Sequence, residues 1–225
     1  MLELRLLGAF EAALAEQSCT SLLAQPKRAA LVVYLALGSR AGLVRRDRLL
    51  ALFWPDADEA HARRALNQAL HYLRGVLGAD VLITRRDDEV GLDHNRFDCD
   101  VLRVRELLAH DRLEEALALY RGELLPGFHG HASNDFDDWL ERERLALGEG
   151  VRTAATTLSN RAHAGGSIAA ALHWARRAVE GGGDRQQLCR RIPQAGDDRG
   201  VALAARAHIG TARKGDATLQ PGERA

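Results

Sequence analysis

Residues 54–78 read WPDADEAHARRALNQALHYLRGVLG, and their apolar positions recur at helical spacing. With Ala62 at zero and a step of 100° per residue, Ala62, Leu66, Ala69, Leu70, Leu73 and Leu77 fall within about 100° of one another. The opposite face carries Arg63, Arg64, Asn67, Gln68, His71 and Arg74, and 60–77 contains no Asp or Glu. A helix face selected only for solubility would usually mix charge signs. The spacing predicts an amphipathic helix over 60–77, entered through an acidic loop and closed by Gly78.

Elsewhere the pattern predicts other elements. Leu2-Glu3-Leu4-Arg5-Leu6 alternates with period two before Gly8, which predicts a strand opening a small antiparallel sheet, with a second strand over 10–14. Pro26 leads into a helix over 28–37 with Leu31, Val32, Leu35 and Ala36 as its stripe, closed by Gly38 and Gly42. Residues 44–54 predict a second helix with Leu49, Leu50 and Phe53 inward, stopped by Pro55. Trp54, its last residue, is expected to cap it against the first helix. Residues 81–92 predict a β-hairpin with a charged tip. Sheet, three helices and hairpin together make a winged helix-turn-helix. In that fold the third helix lies in a major groove, the second braces it, and the hairpin touches the adjacent backbone.

From Asp98 onward only helices are expected: 101–110 and 113–120 as a pair, a break at 124–128, a long helix over 136–161, and another over 167–180. Trp139, Leu140, Leu145, Leu147, Val151 and Leu158 are the apolar positions of the long helix, and Ile168, Leu172, Ala175 and Val179 those of the last. Trp139, Trp174 and Phe128 are expected to pack. The pairing resembles tetratricopeptide-type stacking, without a strict repeat of about 34 residues. Beyond Gly181-Gly182-Gly183 the aromatics vanish and only 201–209 keeps a weak helical pattern, so 183–225 is expected to be a poorly ordered tail. The expected class is mainly α with an α+β N-terminal part: a winged helix-turn-helix over 1–95, a tetratricopeptide-like helical domain over 96–182, then the tail.

Composition agrees with that class, with 46% apolar residues but only 5% aromatics. The formal net charge is zero, yet the charge is not spread evenly. Residues 1–95 hold 12 basic and 12 acidic side chains, 96–150 hold 7 and 13, and 151–225 hold 12 and 6. Within the first third, 40–86 carries 9 basic against 5 acidic residues, so the positive charge gathers around the amphipathic helix. A local cluster is enough to bind phosphate. Arg, Asn and Gln are also the side chains that pair with guanine and adenine edges.

Other chemistry finds little support. Cys19, Cys99 and Cys189 fit neither a disulfide framework nor a zinc spacing. His129-Gly130-His131 with Asp135 lacks a further ligand at a metal-binding spacing, so no metal or cofactor is expected. Asp137, Asp138, Glu141 and Glu143 alternate with Arg142 and Arg144, which predicts surface ion pairs rather than acid–base groups. No Gly-x-Ser-x-Gly, Cys/His pair or nucleotide loop points to an enzyme. The first residues include Glu3 and Arg5 and lack a signal-peptide core, and no run of about 18 apolar residues is present to cross a membrane. A cytoplasmic protein with reduced thiols is expected.

Six separated blocks resemble one family. LRLLGAF, KRAALVVYLAL, RRDRLLALFWPD, ARRALNQALHYLRGVLG, ALALYRGELLPGF and DDWLERERL follow the order and spacing of the antibiotic regulatory protein family of actinomycete transcriptional activators, the SARP type. The resemblance covers about residues 1–180. It implies an OmpR-like winged helix, as in phosphorelay effectors, followed by a bacterial transcriptional activator domain. It also implies an activator that occupies direct-repeat promoter sites on double-stranded DNA, pairs protomers there and engages RNA polymerase. Carried over by position, the DNA-binding residues are Arg63, Arg64, Asn67, Gln68, His71 and Arg74, with Thr84, Arg85 and Arg86 as the wing. The loop near polymerase is Trp54, Pro55, Asp56, Asp58 and Glu59. After Gly183 the chain departs from the family pattern: AGDDRGVAL and DATLQPGER echo its continuation without the aromatics. The alternative from a different class is a protein-interaction adaptor that uses its tetratricopeptide-like helices, with a DNA-binding domain that no longer binds DNA.

Overall fold

The computed structural model describes residues 1–38, 42–86, 88–128 and 132–180. Arg40, Asp87, His129, His131, Cys189 and the expected tail over 183–225 lie outside the described residues, and with them the considered His129/His131 metal pair.

A small α+β part comes first and a helical region follows. Strands β1 (Leu2–Arg5), β2 (Glu11–Leu14), β3 (Gln17–Ser18) and β7 (Phe97–Cys99) form a sheet in the order β3-β2-β1-β7. β1 is antiparallel to β2 and parallel to β7. A second sheet, β4-β6-β5, is antiparallel and comprises β4 (Leu43–Arg45), β5 (Leu82–Arg85) and β6 (Glu89–Leu92). The helices of this part are α1 (Thr20–Leu23) and α2 (Pro26–Leu37), before β4, and α3 (Arg46–Phe53) and α4 (Glu59–Leu77), after it. The helical region holds α5 (Asp100–Ala109), α6 (Leu113–Leu119), α7 (Asn134–Ala164) and α8 (Ile168–Glu180). No described helix is long and apolar enough to cross a membrane.

Each helix of the first part has an identifiable start and stop. α2 begins with Pro26, whose missing N–H is no loss in a first turn, and every residue from Ala29 to Leu37 is buried. α3 ends in carbonyls that two other helices satisfy. Lys27 Nζ donates to the Phe53 carbonyl at 3.0 Å, and Ser133 Oγ donates to the Leu52 carbonyl at 2.6 Å. α4 is capped by Asp58, whose carboxylate accepts from the His61 amide at 2.9 Å. It stops at Gly78, whose φ of 96° disfavours any residue with a β-carbon. The close approach of β4 to β6 likewise requires a glycine: a β-carbon on Gly91 would sit 1.7 Å from the Gly42 carbonyl oxygen.

The structure corrects the sequence reading in four places. Residues 44–54 are not one helix, because Val44 lies in β4 opposite Val90 and the helix starts at Arg46. Strand order also continues past Asp98, since β7 lies beside β1 and completes the first sheet. Leu145 is 65% exposed, on the outer side of α7, although Phe136, Trp139, Leu140, Leu147, Val151 and Leu158 are buried. In α8 the expected stripe turns partly outward: Ile168 is 68% and Val179 46% exposed. Ala171 is buried there instead, with Trp174 and Ala178 packed against the core, because α8 meets α7 along an i, i+3, i+7 line.

One hydrophobic core runs through both parts, from Leu2 to Leu158. The seam between them is aromatic. Tyr34 of α2 meets Trp139 of α7 with ring centroids 4.6 Å apart, and Phe53 of α3 meets Phe136 at 5.5 Å. Backbone bonds reinforce it, from Leu125 N to the Leu6 carbonyl at 2.8 Å and from Gly8 N to the Glu123 carbonyl at 2.9 Å. The Asp100 carboxylate accepts from the amides of Leu6 and Leu7, at 3.0 and 3.1 Å, tying the start of α5 to the end of β1. In the helical region Arg177 of α8 donates to the Leu117 and Tyr120 carbonyls, both at 3.1 Å, and so caps the end of α6.

Candidate nucleic-acid interface

α4 presents two unlike faces. Ala62, Leu66, Ala69, Leu70, Leu73 and Leu77 are buried, the six positions expected from the periodicity. Arg63, Arg64, Asn67, Gln68 and His71 are exposed, and Arg74 is half-buried. Tyr72 fixes the helix's roll: its hydroxyl donates to the Ser21 carbonyl at 2.9 Å, and the Arg28 guanidinium lies 4.1 Å from its ring centroid. The outward polar face is therefore held by tertiary contacts as well as by the apolar stripe.

The exposed side chains are not equally free. Arg64, Gln68 and His71 make no hydrogen bond or ion pair among the described residues. Arg63 is engaged one turn back by Glu59, Nη2 to Oε1 at 2.7 Å. Both partners are largely solvated, so the pair is weak and easily exchanged for another anion. Asn67 Oδ1 accepts from Arg46 Nη1 at 2.8 Å. Arg74 Nη2 donates to the Thr84 hydroxyl at 2.9 Å, joining the last turn of the helix to the hairpin. Basic character at that end also suits the negative pole of the helix.

The hairpin stands beside this face. Thr84, Arg85 and Arg86 are exposed, and Arg86 has a φ of 48° where the turn reverses. Neither Arg85 nor Arg86 has a side-chain partner among the described residues. Arg46 N donates to the Asp88 carbonyl at 2.7 Å, anchoring the turn to the start of α3. An open groove lined by Arg28, Asn67, Gln68, His71, Tyr72 and Gly75 runs along the outer side of α4. Sequence reasoning missed Arg28 and Arg46 as parts of this surface. The basic run Arg45-Arg46-Asp47-Arg48 was visible, but which arginine reaches α4 is decided by the β4–α3 junction.

The loop before α4 divides in two. Pro55 and Asp56 are exposed, while Trp54 is half-buried against Phe53 at 6.0 Å and under Lys27 at 5.7 Å. Trp54 thus caps α3 against α2. Asp58 and Glu59 have local tasks, as helix cap and as partner of Arg63. The bond from the His61 amide, seconded by the His61 side chain, holds the Asp58 carboxyl below its ordinary range.

Other chemistry is not assembled among the described residues. No three His, Cys, Asp or Glu among the described residues cluster as metal ligands. Burial pushes the Cys99 thiol up to about 12 and raises that of Cys19, the opposite of an activated nucleophile. Of the acidic residues on α7, Glu141 pairs with Arg144 at 3.3 Å on its own helix, whereas Glu143 pairs with Arg105 of α5. Comparison with protein-family models gives no match, and no curated protein matches the chain.

Proposed function

We propose that this protein is a sequence-specific DNA-binding transcriptional activator of the antibiotic-regulatory-protein type. On this reading α2–α4 with the β4-β6-β5 sheet act as a winged helix-turn-helix, and α5–α8 as a tetratricopeptide-like domain. α4 enters the major groove. Arg63, Arg64, Asn67, Gln68 and His71 meet base edges or flanking phosphates, Arg74 meets the backbone, and the hairpin residues Thr84, Arg85 and Arg86 lie against the neighbouring phosphates.

The observation that carries the reading is the two-faced burial of α4 beside the hairpin: an apolar stripe fully inside, and an outward face of Arg, Asn, Gln and His with no acid beyond Glu59 of the first turn. From Arg63 to Arg74 that face spans about 16 Å, enough for only a few base pairs. A single protomer then binds weakly, and tandem sites raise affinity through effective concentration. The helical region positions protomers along direct repeats, and Pro55 and Asp56 are the loop residues left free to meet RNA polymerase.

Chromatography of the whole chain on random-sequence DNA at low salt tests the reading. An activator of this kind is retained and elutes as salt rises. An adaptor that works only through its helical region passes through unretained. Selection from randomised duplexes then gives the site. Loss of one specific base preference in Asn67→Ala, worth roughly 1–3 kcal/mol of discrimination, marks that side chain as a base reader.

A further inference from the structure

Asn67 does not stand alone on the outer face of α4. Arg46, 21 residues earlier in the chain, donates from Nη1 to its Oδ1 at 2.8 Å. A guanidinium has donors and no acceptor, so the amide oxygen is the atom that must face it. That bond fixes the orientation of an otherwise symmetric-looking amide. The oxygen is turned to Arg46, and Nδ2, with two N–H groups, has no partner among the described residues.

Arg46 is itself held. Its backbone amide donates to the Asp88 carbonyl at 2.7 Å, and its Nε is buried without a partner. The side chain is half-buried, unlike Arg64, Arg85 and Arg86. Its guanidinium is thus placed beside Asn67, between hairpin and helix.

Reading an adenine with an asparagine needs Oδ1 to accept from the N6 amino group while Nδ2 donates to N7. Here one lone pair of Oδ1 is taken, and the other lies beside a full positive charge. A base edge that brings its own amino hydrogens to that spot is disfavoured. Guanine presents two acceptors, O6 and N7, and is favoured by a donor array next to a cation.

We propose that Arg46 is a positioning residue that sets the specificity of Asn67, making the pair select guanine over adenine at one position of the site. The inference rests on α4 being the recognition helix. Arg46 acts through Asn67, and its effect is confined to the base pair that Asn67 meets.

Selection from a pool of randomised duplexes, with the whole chain and its variants, tests it. The wild type is expected to show one position at which guanine exceeds adenine by about tenfold, the scale of a single good base contact. Asn67→Ala removes that preference. Arg46→Met moves it toward adenine at the same position only, and the double variant is no worse than Asn67→Ala. Asn67→Asp keeps the contact with Arg46 but loses the amide donor, so it too loses the guanine preference; should Arg46→Met fail to fold, Arg46→Gln, which removes the charge and keeps a polar side chain, takes its place and is expected to shift the preference toward adenine in the same way. An adenine preference in the wild type overturns the inference, as does an unchanged guanine preference in Arg46→Met or Asn67→Asp. Absence of any wild-type DNA binding overturns instead the recognition-helix reading beneath it.

Discussion

Arg74, in the last turn of α4, is bonded through Nη2 to the Thr84 hydroxyl of β5 at 2.9 Å, so helix and hairpin form one continuous surface. Arg46 makes the second link, from the Asp88 carbonyl at the hairpin turn to Asn67 on the helix. If that surface is the proposed DNA-binding face, the two ties preset its register and lower the ordering cost of binding.

Arg74→Ala is expected to weaken binding to all duplexes alike and to reduce the salt slope of log K by about 0.9, one phosphate's share. Thr84→Val removes the hairpin partner but leaves the guanidinium, so its slope stays at the wild-type value. Fluorescence anisotropy across a salt series separates the two. Equal slopes in Arg74→Ala and wild type would show that Arg74 serves only to hold the hairpin.

Ser133 caps α7 through the Phe136 amide at 3.2 Å and donates to the Leu52 carbonyl at the end of α3. Ser133→Ala loses both bonds and is expected to cost about 1–2 kcal/mol. Because one core crosses the seam, urea unfolding followed by tryptophan fluorescence and by far-UV circular dichroism should give coincident curves. Two separated transitions would mean that the parts unfold independently.

These two parts were unequally legible in the sequence. α4 could be placed to within a residue because 19 consecutive residues keep one period, and its six buried positions all fall on one stripe. β4 and β7 were invisible, since each has three residues and exists only through a distant partner: Val44 opposite Val90, Phe97 beside Leu2. The phase of α7 drifted for a related reason. Over 31 residues it changes neighbours from α3 to α5, α6 and α8, so no single stripe describes it and Leu145 ends outside. At the interface the composition of the outer face was legible. Its internal bonds were not, because Arg46–Asn67 and Arg74–Thr84 join different elements and leave no local signature.

Asp58 supplies a pH dependence with a definite sign. Its folded carboxyl lies below the ordinary value of 3.8, chiefly through the bond from the His61 amide. The folded state therefore favours the carboxylate, and its contribution is present above the unfolded value and disappears as pH falls through the folded one. Asp58→Asn keeps a capping acceptor without a charge, so it should flatten this part of the acid-side stability curve. Thermal melts between pH 2 and pH 6 compare the two; parallel curves would contradict the assignment.

Gly75 lies on the exposed side of α4, and a β-carbon there would meet nothing within 4 Å. Intramolecular packing gives no reason for a glycine in a helix interior. Gly75→Ala is expected to stabilise the fold by about 0.5–1 kcal/mol. If the α4 backbone approaches the sugar–phosphate chain there, the same substitution weakens DNA binding while raising the melting temperature. Opposite movements of affinity and stability are the expected result; unchanged affinity would place Gly75 outside the interface.

On the proposed function, the outer face of α4 holds DNA. The most direct test is the salt-dependent affinity of the whole chain for a short duplex, before and after Arg64, Gln68 and His71 are replaced together by Ala. All three are exposed and unbonded among the described residues, so the fold should survive, as a circular dichroism melt would verify. Wild type is expected to bind measurably at low salt and to weaken as salt rises, with both affinity and slope reduced in the triple variant. A folded triple variant that binds as tightly as the wild type, with the same slope, would contradict that function.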